Sequence, residues 1–527
     1  MRRRSRSSRW AVGLFAGLTG LVAAHAACAE TVLRARLASD IVSTEPGGKR
    51  DANTDDVLAH VVEGLVAYRE NGEIAPMLAK GWTVSPDGRT YTFALRTGVV
   101  FHNGQPMTAA DVVWSIRRYL QPATRWRCAA EFGPQGIARV LSVTAPDPQT
   151  VVLTLDRPAP LLLKTLARPD CGQTGILHPD SVGPGGAWRG PIGTGPFKVG
   201  AWKRNQYVDL IRFPGYQALP GPRDGDTGGK HALVDRVRFM IIPDSSAARA
   251  ALLRGSLDVI DSLSPTELGG VQGDKRVRLQ FAPTADMWLM MLQTRDPLLA
   301  DPRLRRAIAL SLDTAALTRA VTWGTSRPDS SPVPAISPYF TPLHAQLRKP
   351  DLAQARRLAA AAGYRGQPIR ITTNRRYPQM FDAAVLIQAM ARRAGIRFQI
   401  DTVDWAGEVQ RYSAGDYQAL VFSYSVRLDP AMDFALLIGD KSRDPRKVWD
   451  SPRAAALLQK AVVSDDRAVR QAAFDDLQRA FLDEAPAVML FNATRISAVR
   501  ANVSGFKEWP AEQQRLWDVG FCGRAAC

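Results

Sequence analysis

Two periods of apolar and polar residues recur along the chain. In residues 90–96, Tyr91, Phe93 and Leu95 alternate with polar or small neighbours. That is the pattern of a strand with one buried face, and the Pro86-Asp87-Gly88 turn leads into it. Residues 151–155 and the set Val237, Phe239 and Ile241 repeat the period of two. A four-residue spacing takes over at Val112, Ile116 and Leu120, behind Thr108 and Asp111, which read as a capping box. Leu304, Ile308 and Leu312 show the same spacing. Further helices are expected over residues 245–254, stopped by Gly255, and from Asp351, with Gln354 as a second capping box, to Gly363. Others run up to Gly395, from Ser451-Pro452, and over 466–484. Strands are expected at 396–403 and 487–491, and from the turn at 193–197 to about Trp202. The Gly- and Pro-rich run 220–231 reads as a surface loop without core residues. Strands alternating with helices throughout, with no internal repeat, predict an α/β protein.

The amino terminus adds a compartment. Arg2, Arg3, Arg4, Arg6 and Arg9 precede a short apolar stretch at 10–24, and Ala27-Cys28-Ala29 offers a small-residue cleavage site. A signal peptide over residues 1–29, cleaved after Ala29, is the reading. It gives an exported, periplasmic protein. The full chain carries a net charge of +18, and loss of the five leader arginines leaves +13. Lys and Arg look scattered along the sequence, so a nucleic-acid partner is not expected and a solvated surface with a bias toward anionic ligands is. Four cysteines stay in the mature chain. Of their three pairings, Cys128–Cys171 and Cys522–Cys527 are expected, the second closing a short C-terminal loop.

Catalytic motifs do not appear. There is no G-x-S-x-G and no H-E-x-x-H, and the GTGPF turn at 193–197 lacks the lysine and third glycine of a phosphate loop. His60, His102, His178, His231 and His344 show no metal-ligand spacing. An enzyme is therefore not expected, with an exported hydrolase as the opposing class, and neither is a cofactor.

Several ordered blocks carry a resemblance. Glu63-Gly64-Leu65, Gly72 and Pro76 lead into GWTVSPDGRTYTFALRTGVVFHNGQPMTAADVVWS; GTGPFKVGAW follows at 193–202 and VRFMIIPDSSAARAALLRGSLDVID at 237–261. DPRLRRAIALSLD (301–313), DLAQARRLAAAAGY (351–364), AGIRFQIDTVDW (394–405) and SYSVRLDP (423–430) complete the series. Their order resembles the extracellular solute-binding proteins of the dipeptide/oligopeptide-binding type, family 5. The resemblance implies a bilobed periplasmic-binding-protein fold, type II, with an extra inserted domain. Lobe 1 would comprise 30–64, 186–283 and 489–527, the inserted domain 65–185 and lobe 2 residues 284–488, with hinge crossings near 283 and 489. It further implies a monomer that captures a small solute or peptide and hands it to a membrane-embedded ABC permease.

The site residues follow from the same resemblance. Peptide-binding relatives hold the ligand's α-amino group with an Asp just before the Asp-Pro of the last block. Here Val426 or Arg427 takes that place, ahead of Asp429. A guanidinium repels an ammonium and grips a carboxylate with two hydrogen bonds, so an anionic group is expected. Alternatively, Arg427 pairs with Asp429 or Asp433. Trp405 matches a cleft tryptophan, and Tyr424 is a similar candidate. Asp429, Arg50, Asn53 and Trp288 complete the candidate ligand set. A metal chelate, a haem, a glutathione-like molecule or a sugar stays open as the ligand.

Overall fold

Strand Val32–Leu37 lies inside a seven-stranded sheet, parallel to Arg236–Ile241 and to the short Val259–Ile260. Around these run Phe197–Lys203, Tyr207–Arg212, Val277–Pro283 and Thr494–Arg500, all antiparallel to their neighbours. The computed structural model describes residues 30–133, 136–464, 466–511 and 513–523. The expected signal peptide and Cys527 lie outside them. Among the described residues, no helix is long and apolar enough to cross a membrane.

A second sheet has six strands. Its centre is Met287–Leu292, antiparallel to Ala487–Asn492 on one side and Ala419–Tyr424 on the other; Ile369–Thr373 and Phe398–Thr402 continue it in parallel. The run MWLMML explains the central position. Met287, Leu289 and Met291 enter one apolar core and Met290 and Leu292 the other, so the strand is buried on both faces. Helices Pro302–Ser311, Leu352–Ala361 and Pro378–Arg392 cover one face; Pro430–Leu437, Pro452–Val463 and Arg467–Glu484 cover the other.

A third, antiparallel sheet of four strands (Ala79–Val84, Thr90–Leu95, Thr150–Leu155, Val140–Asp147) packs against helix Ala109–Leu120. The capping box is formed there: the Thr108 N–H donates to Asp111 at 2.8 Å. The second expected box is half made. Asp351 accepts the Gln354 N–H, but the Gln354 side chain turns outward to Arg357. Cys128 and Cys171 form the expected disulfide, with Cα atoms 5.4 Å apart. Cys522 is exposed, and its expected partner is not among the described residues.

One sequence expectation fails. The loop at 220–231 is not a surface loop without core residues: it folds into a short hairpin, Arg223–Asp224 with Thr227–Gly228, and Asp226 and Lys230 are both 0% exposed. Lys230 sits 3.4 Å from Glu63 and 4.8 Å from the Trp517 ring centre, an ion pair and a cation–π contact that offset its desolvation.

The chain passes between the two large sheets twice, after Pro283 and at Ala493. Asp286 ties the two passages together. Its carboxylate accepts from the Ala493 N–H (2.7 Å), the Thr284 hydroxyl (2.7 Å) and the Trp288 indole N–H (2.6 Å).

Candidate functional site

Three chain segments converge between the sheets. Residues 50–56 begin a helix, Ala52–Leu58, beside the first sheet; Arg168–Asp170 come from the disulfide-linked region; Ser425–Leu428 continue from the end of strand Ala419–Tyr424. With Tyr68, Ala511 and Gln513 they line a cavity of about 90 Å³, partly open to solvent. Glycine sets the close approach. Gly47 has φ +65°, and a Cβ there would lie 2.5 Å from the Cys171 carbonyl oxygen; a Cβ on Gly172 would lie 2.5 Å from the Gly47 nitrogen. Only two bare backbones pass so near, and this brings Arg50 to the Pro169-Asp170 corner.

Charges dominate the cavity wall. Arg168 grips Asp170 with two bonds, 2.9 and 2.7 Å, and spends its remaining amino group on Glu131 at 2.9 Å. Arg427, 8% exposed, reaches the same carboxylate only at 3.5 Å and otherwise donates to the carbonyls of Ser425 and Val426. Burial alone would raise the Asp170 pKa, but Arg427 and Arg168 hold it well below the usual carboxylate range. Arg50 pairs with Asp55, yet its Nε–H is buried without a partner among the described residues. Burial outweighs that ion pair and pushes Asp55 up to about 7. It also lifts Asp56 well above its ordinary value, despite the nearby Arg495. With two of three carboxyls favouring their neutral form, the cavity is electropositive.

Of the residues singled out from sequence, Arg50 and Arg427 meet at this cavity and the others do not. Asp429 caps helix Pro430–Leu437 through the Ala431 N–H and is held by Arg470 (2.8 Å to each oxygen) and by Lys164. These bonds engage both of its oxygens; Arg427 makes neither of the two pairings considered for it, with Asp429 or Asp433, and turns to Asp170. Asp433 is 0% exposed, and neither oxygen has a hydrogen-bond partner among the described residues. Burial drives its pKa well up, although Arg427 lies in its field. Trp405 stacks on Phe422 and meets Tyr377 edge-on. Tyr424 points its hydroxyl at Tyr412 and Met291. Trp288 stacks on Phe491 and binds Asp286. Asn53 turns to Ser39. Sequence reasoning missed Arg168, Asp170 and Asp55. Their one local sign was position: Asp170 adjoins a cysteine whose bridge fixes the corner.

The two sides of the cleft touch. Lys164, on helix Leu162–Leu166, pairs with Asp429; Leu161 enters the core of the second sheet; Val426 and Leu428 pack on the core of the third.

Comparison with known proteins gives a match to the bacterial extracellular solute-binding proteins, family 5 Middle, over residues 73–445. A probable D,D-dipeptide-binding periplasmic protein of Escherichia coli (strain K12), DdpA, is 25% identical over 510 residues, covering 94% of this chain and 95% of that protein. The glutathione-binding protein GsiB of Pectobacterium atrosepticum is 24% identical over 518 residues, covering 95% and 96%. The solved structure of HbpA2 from Haemophilus parasuis superimposes with a TM-score of 0.80 at 24% identity, over 93% of this chain and 99% of that one. The mixed α/β, two-lobed architecture is the one shared.

Proposed function

Because the chain belongs to the bacterial extracellular solute-binding proteins of family 5, we propose that it captures a small peptide-like solute bearing an acidic group and delivers it to a membrane-embedded ABC permease. It works by binding rather than catalysis, in the periplasm, as a monomer with lobes that close over the solute. The candidate ligand residues are Arg427 and Arg50, joined by Arg168 and Asp170. One observation carries the anionic preference: Arg427 is buried in the cleft wall, while the carboxylate nearest to it is already gripped twice by Arg168. A guanidinium so placed has donors to give to a carboxylate on the solute. The kinship with proteins named for dipeptides and for glutathione supports a peptide-like frame.

The test is native mass spectrometry of the mature protein from a cell extract, followed by calorimetry on the refolded, ligand-free protein. The calorimetric panel is glutathione, an acidic dipeptide, the same dipeptide with its carboxylates amidated, a sugar and a metal chelate. Retention of an acidic solute, with tenfold or greater weakening on amidation, is expected. Equal binding of the amidated dipeptide would refute the anionic reading. Binding of the sugar alone would refute the peptide-like one.

A further inference from the structure

The positive charge is not evenly spread, although the sequence looked so. Residues 352–397 hold nine arginines, no lysine and one acid, Asp382, a net +8 in 46 residues of a mature chain at +13. All nine arginines are exposed, and none forms an ion pair among the described residues. Some exposed arginines elsewhere carry their own carboxylate, such as Arg69 with Asp224, Arg139 with Asp156, Arg276 with Asp274 and Arg479 with Asp476; what sets this segment apart is nine arginines in sequence with one acid among them.

Six of the nine gather at one end of the second lobe. Strands Ile369–Thr373, Phe398–Thr402 and Ala419–Tyr424 are parallel, and the last runs directly into the cleft at Ser425. The starts of these strands therefore mark the end farthest from the cleft. Arg397 immediately precedes one start, and Arg365 lies in the loop leading to another. A Cβ on Gly366 would be 3.9 Å from the Arg397 side chain. Helix Pro378–Arg392 runs back to this end and finishes at Arg392 and Arg393, and the Arg356 guanidinium donates to the Arg393 carbonyl at 2.7 Å. Arg357 follows on the same helix as Arg356 and bonds only Gln354. Asp382 is ten residues before Arg392, about 15 Å away along the helix, and the carboxylates Asp296 and Asp416 at this end of the sheet lie by Arg370 and Gln418 on the inner strands, not at the edge strand Phe398–Thr402 that Arg397 precedes.

We propose that this pole of the second lobe docks on the anionic headgroups of a phospholipid membrane. Like charges held together without counter-ions repel one another in the folded protein, and a surface of phosphates relieves that repulsion. Several segments supply the charges, which suits an extended anionic surface better than one bound phosphate. A nucleic acid fits less well. The aromatic at this end, Tyr364, packs on the apolar core and has its hydroxyl engaged with the Gln367 carbonyl and the Arg397 N–H, so among the described residues the patch offers no free aromatic face on which bases stack. Docking there confines the protein to the plane in which a membrane-embedded permease sits.

The experiment is co-sedimentation of the mature protein with vesicles of 30% phosphatidylglycerol in phosphatidylcholine, against pure phosphatidylcholine, at low and high salt. Partitioning into the anionic vesicles only, and its loss at high salt, is expected. The triple variant R356Q/R393Q/R397Q lowers the partition coefficient about a hundredfold. R89Q/R139Q/R276Q removes the same net charge at exposed arginines outside the second lobe and changes it less than fivefold. Hydrogen exchange with vesicles present, read on the wild type, gives protection over 353–366 and 389–398 irrespective of how the variants fold. No partitioning, equal partitioning into neutral vesicles, equal losses in both triple variants, protection elsewhere, or tighter binding of duplex DNA at matched phosphate would each overturn the proposal.

Discussion

Lys164→Met isolates the contact that holds the two sides of the cleft together. Lys164 and Asp429 pair across the gap, with side chains 19% and 4% exposed. Removing one member of a buried pair costs 3–5 kcal/mol when it leaves a bare charge behind. Here it does not, because Arg470 keeps two bonds of 2.8 Å to Asp429 and the Ala431 N–H keeps a third. The loss is then that of one charge-assisted hydrogen bond, about 1.5–3 kcal/mol, offset in part by the desolvation that Lys164 no longer bears. A net shift of about 1–2 kcal/mol toward the open form, a factor of about 5–30, follows. Small-angle X-ray scattering of the ligand-free variant will give a larger radius of gyration, and calorimetry an apparent affinity weakened by up to the same factor. Arg470→Met is the contrasting variant: Arg470 and Asp429 share the second lobe, so its loss lowers that lobe's stability and leaves closure with Lys164 in place. Scattering curves of Lys164→Met that superimpose on the wild type, with a Kd unchanged within twofold, would show that apolar packing of Leu161, Val426 and Leu428 closes the cleft without the ion pair.

Three other outcomes are open to measurement. Arg427→Met will weaken an acidic solute by about 2–3 kcal/mol in calorimetry and leave its amidated analogue unchanged, since Asp170 keeps both Arg168 bonds; equal losses for the two ligands would assign Arg427 a packing role. Burial holds the Asp55 proton up to about pH 7, against an ordinary value of 3.8, so the native state binds more protons than the unfolded one and Asp55's contribution to stability is present at low pH and lost as pH rises through about 7. An acidic solute should therefore bind more weakly at pH 8 than at pH 6, where neutral Asp55 leaves Arg50 free, and Asp55→Asn should remove most of that slope in a pH series of titrations; a slope unchanged in the variant contradicts the assignment. Replacing Cys128 and Cys171 by serine opens a loop of 43 residues' separation and should cost about 3–4 kcal/mol in urea unfolding, with no further loss on adding reductant.

Much of the architecture was legible because its signals are local. Thr108 with Asp111, Gly255 after its helix, Ser451 before Pro452 and the alternation through Tyr91, Phe93 and Leu95 each report a few bonds made within a handful of residues. The site is built otherwise. Arg50, Arg168 and Arg427 lie more than a hundred residues apart in sequence; the bare-backbone contact of Gly47 with Gly172 joins the first two, and Arg427 meets them across the cleft at Asp170. The aromatic candidates show the same limit from the other side. Trp405, Tyr424 and Trp288 sit at strand and helix ends near the cleft, but periodicity does not say which way a ring turns, and each finds aromatic or sulfur partners within its own lobe. The loop at 220–231 misled for a related reason: Gly and Pro describe the path of a backbone, whereas Lys230 is buried because Glu63 and Trp517 wait for it.

The distribution of counter-ions explains why closure and binding belong together. Arg50 keeps Asp55 and Arg168 keeps Asp170, each partner within a few residues, whatever the lobes do. Arg427 differs. Its carboxylate contact lies across the cleft on Asp170, and within its own lobe it has two carbonyls and the field of Asp433, a buried acid with no hydrogen bond of its own. Opening the cleft takes Asp170 away and lets water reach Arg427. Closing without a solute returns Arg427 to a carboxylate already shared with Arg168. On the proposed anionic reading, a carboxylate of the solute would complete the partnering of Arg427, most of all in the closed form where the guanidinium is most desolvated, and that difference in affinity between the two forms would drive the lobes together.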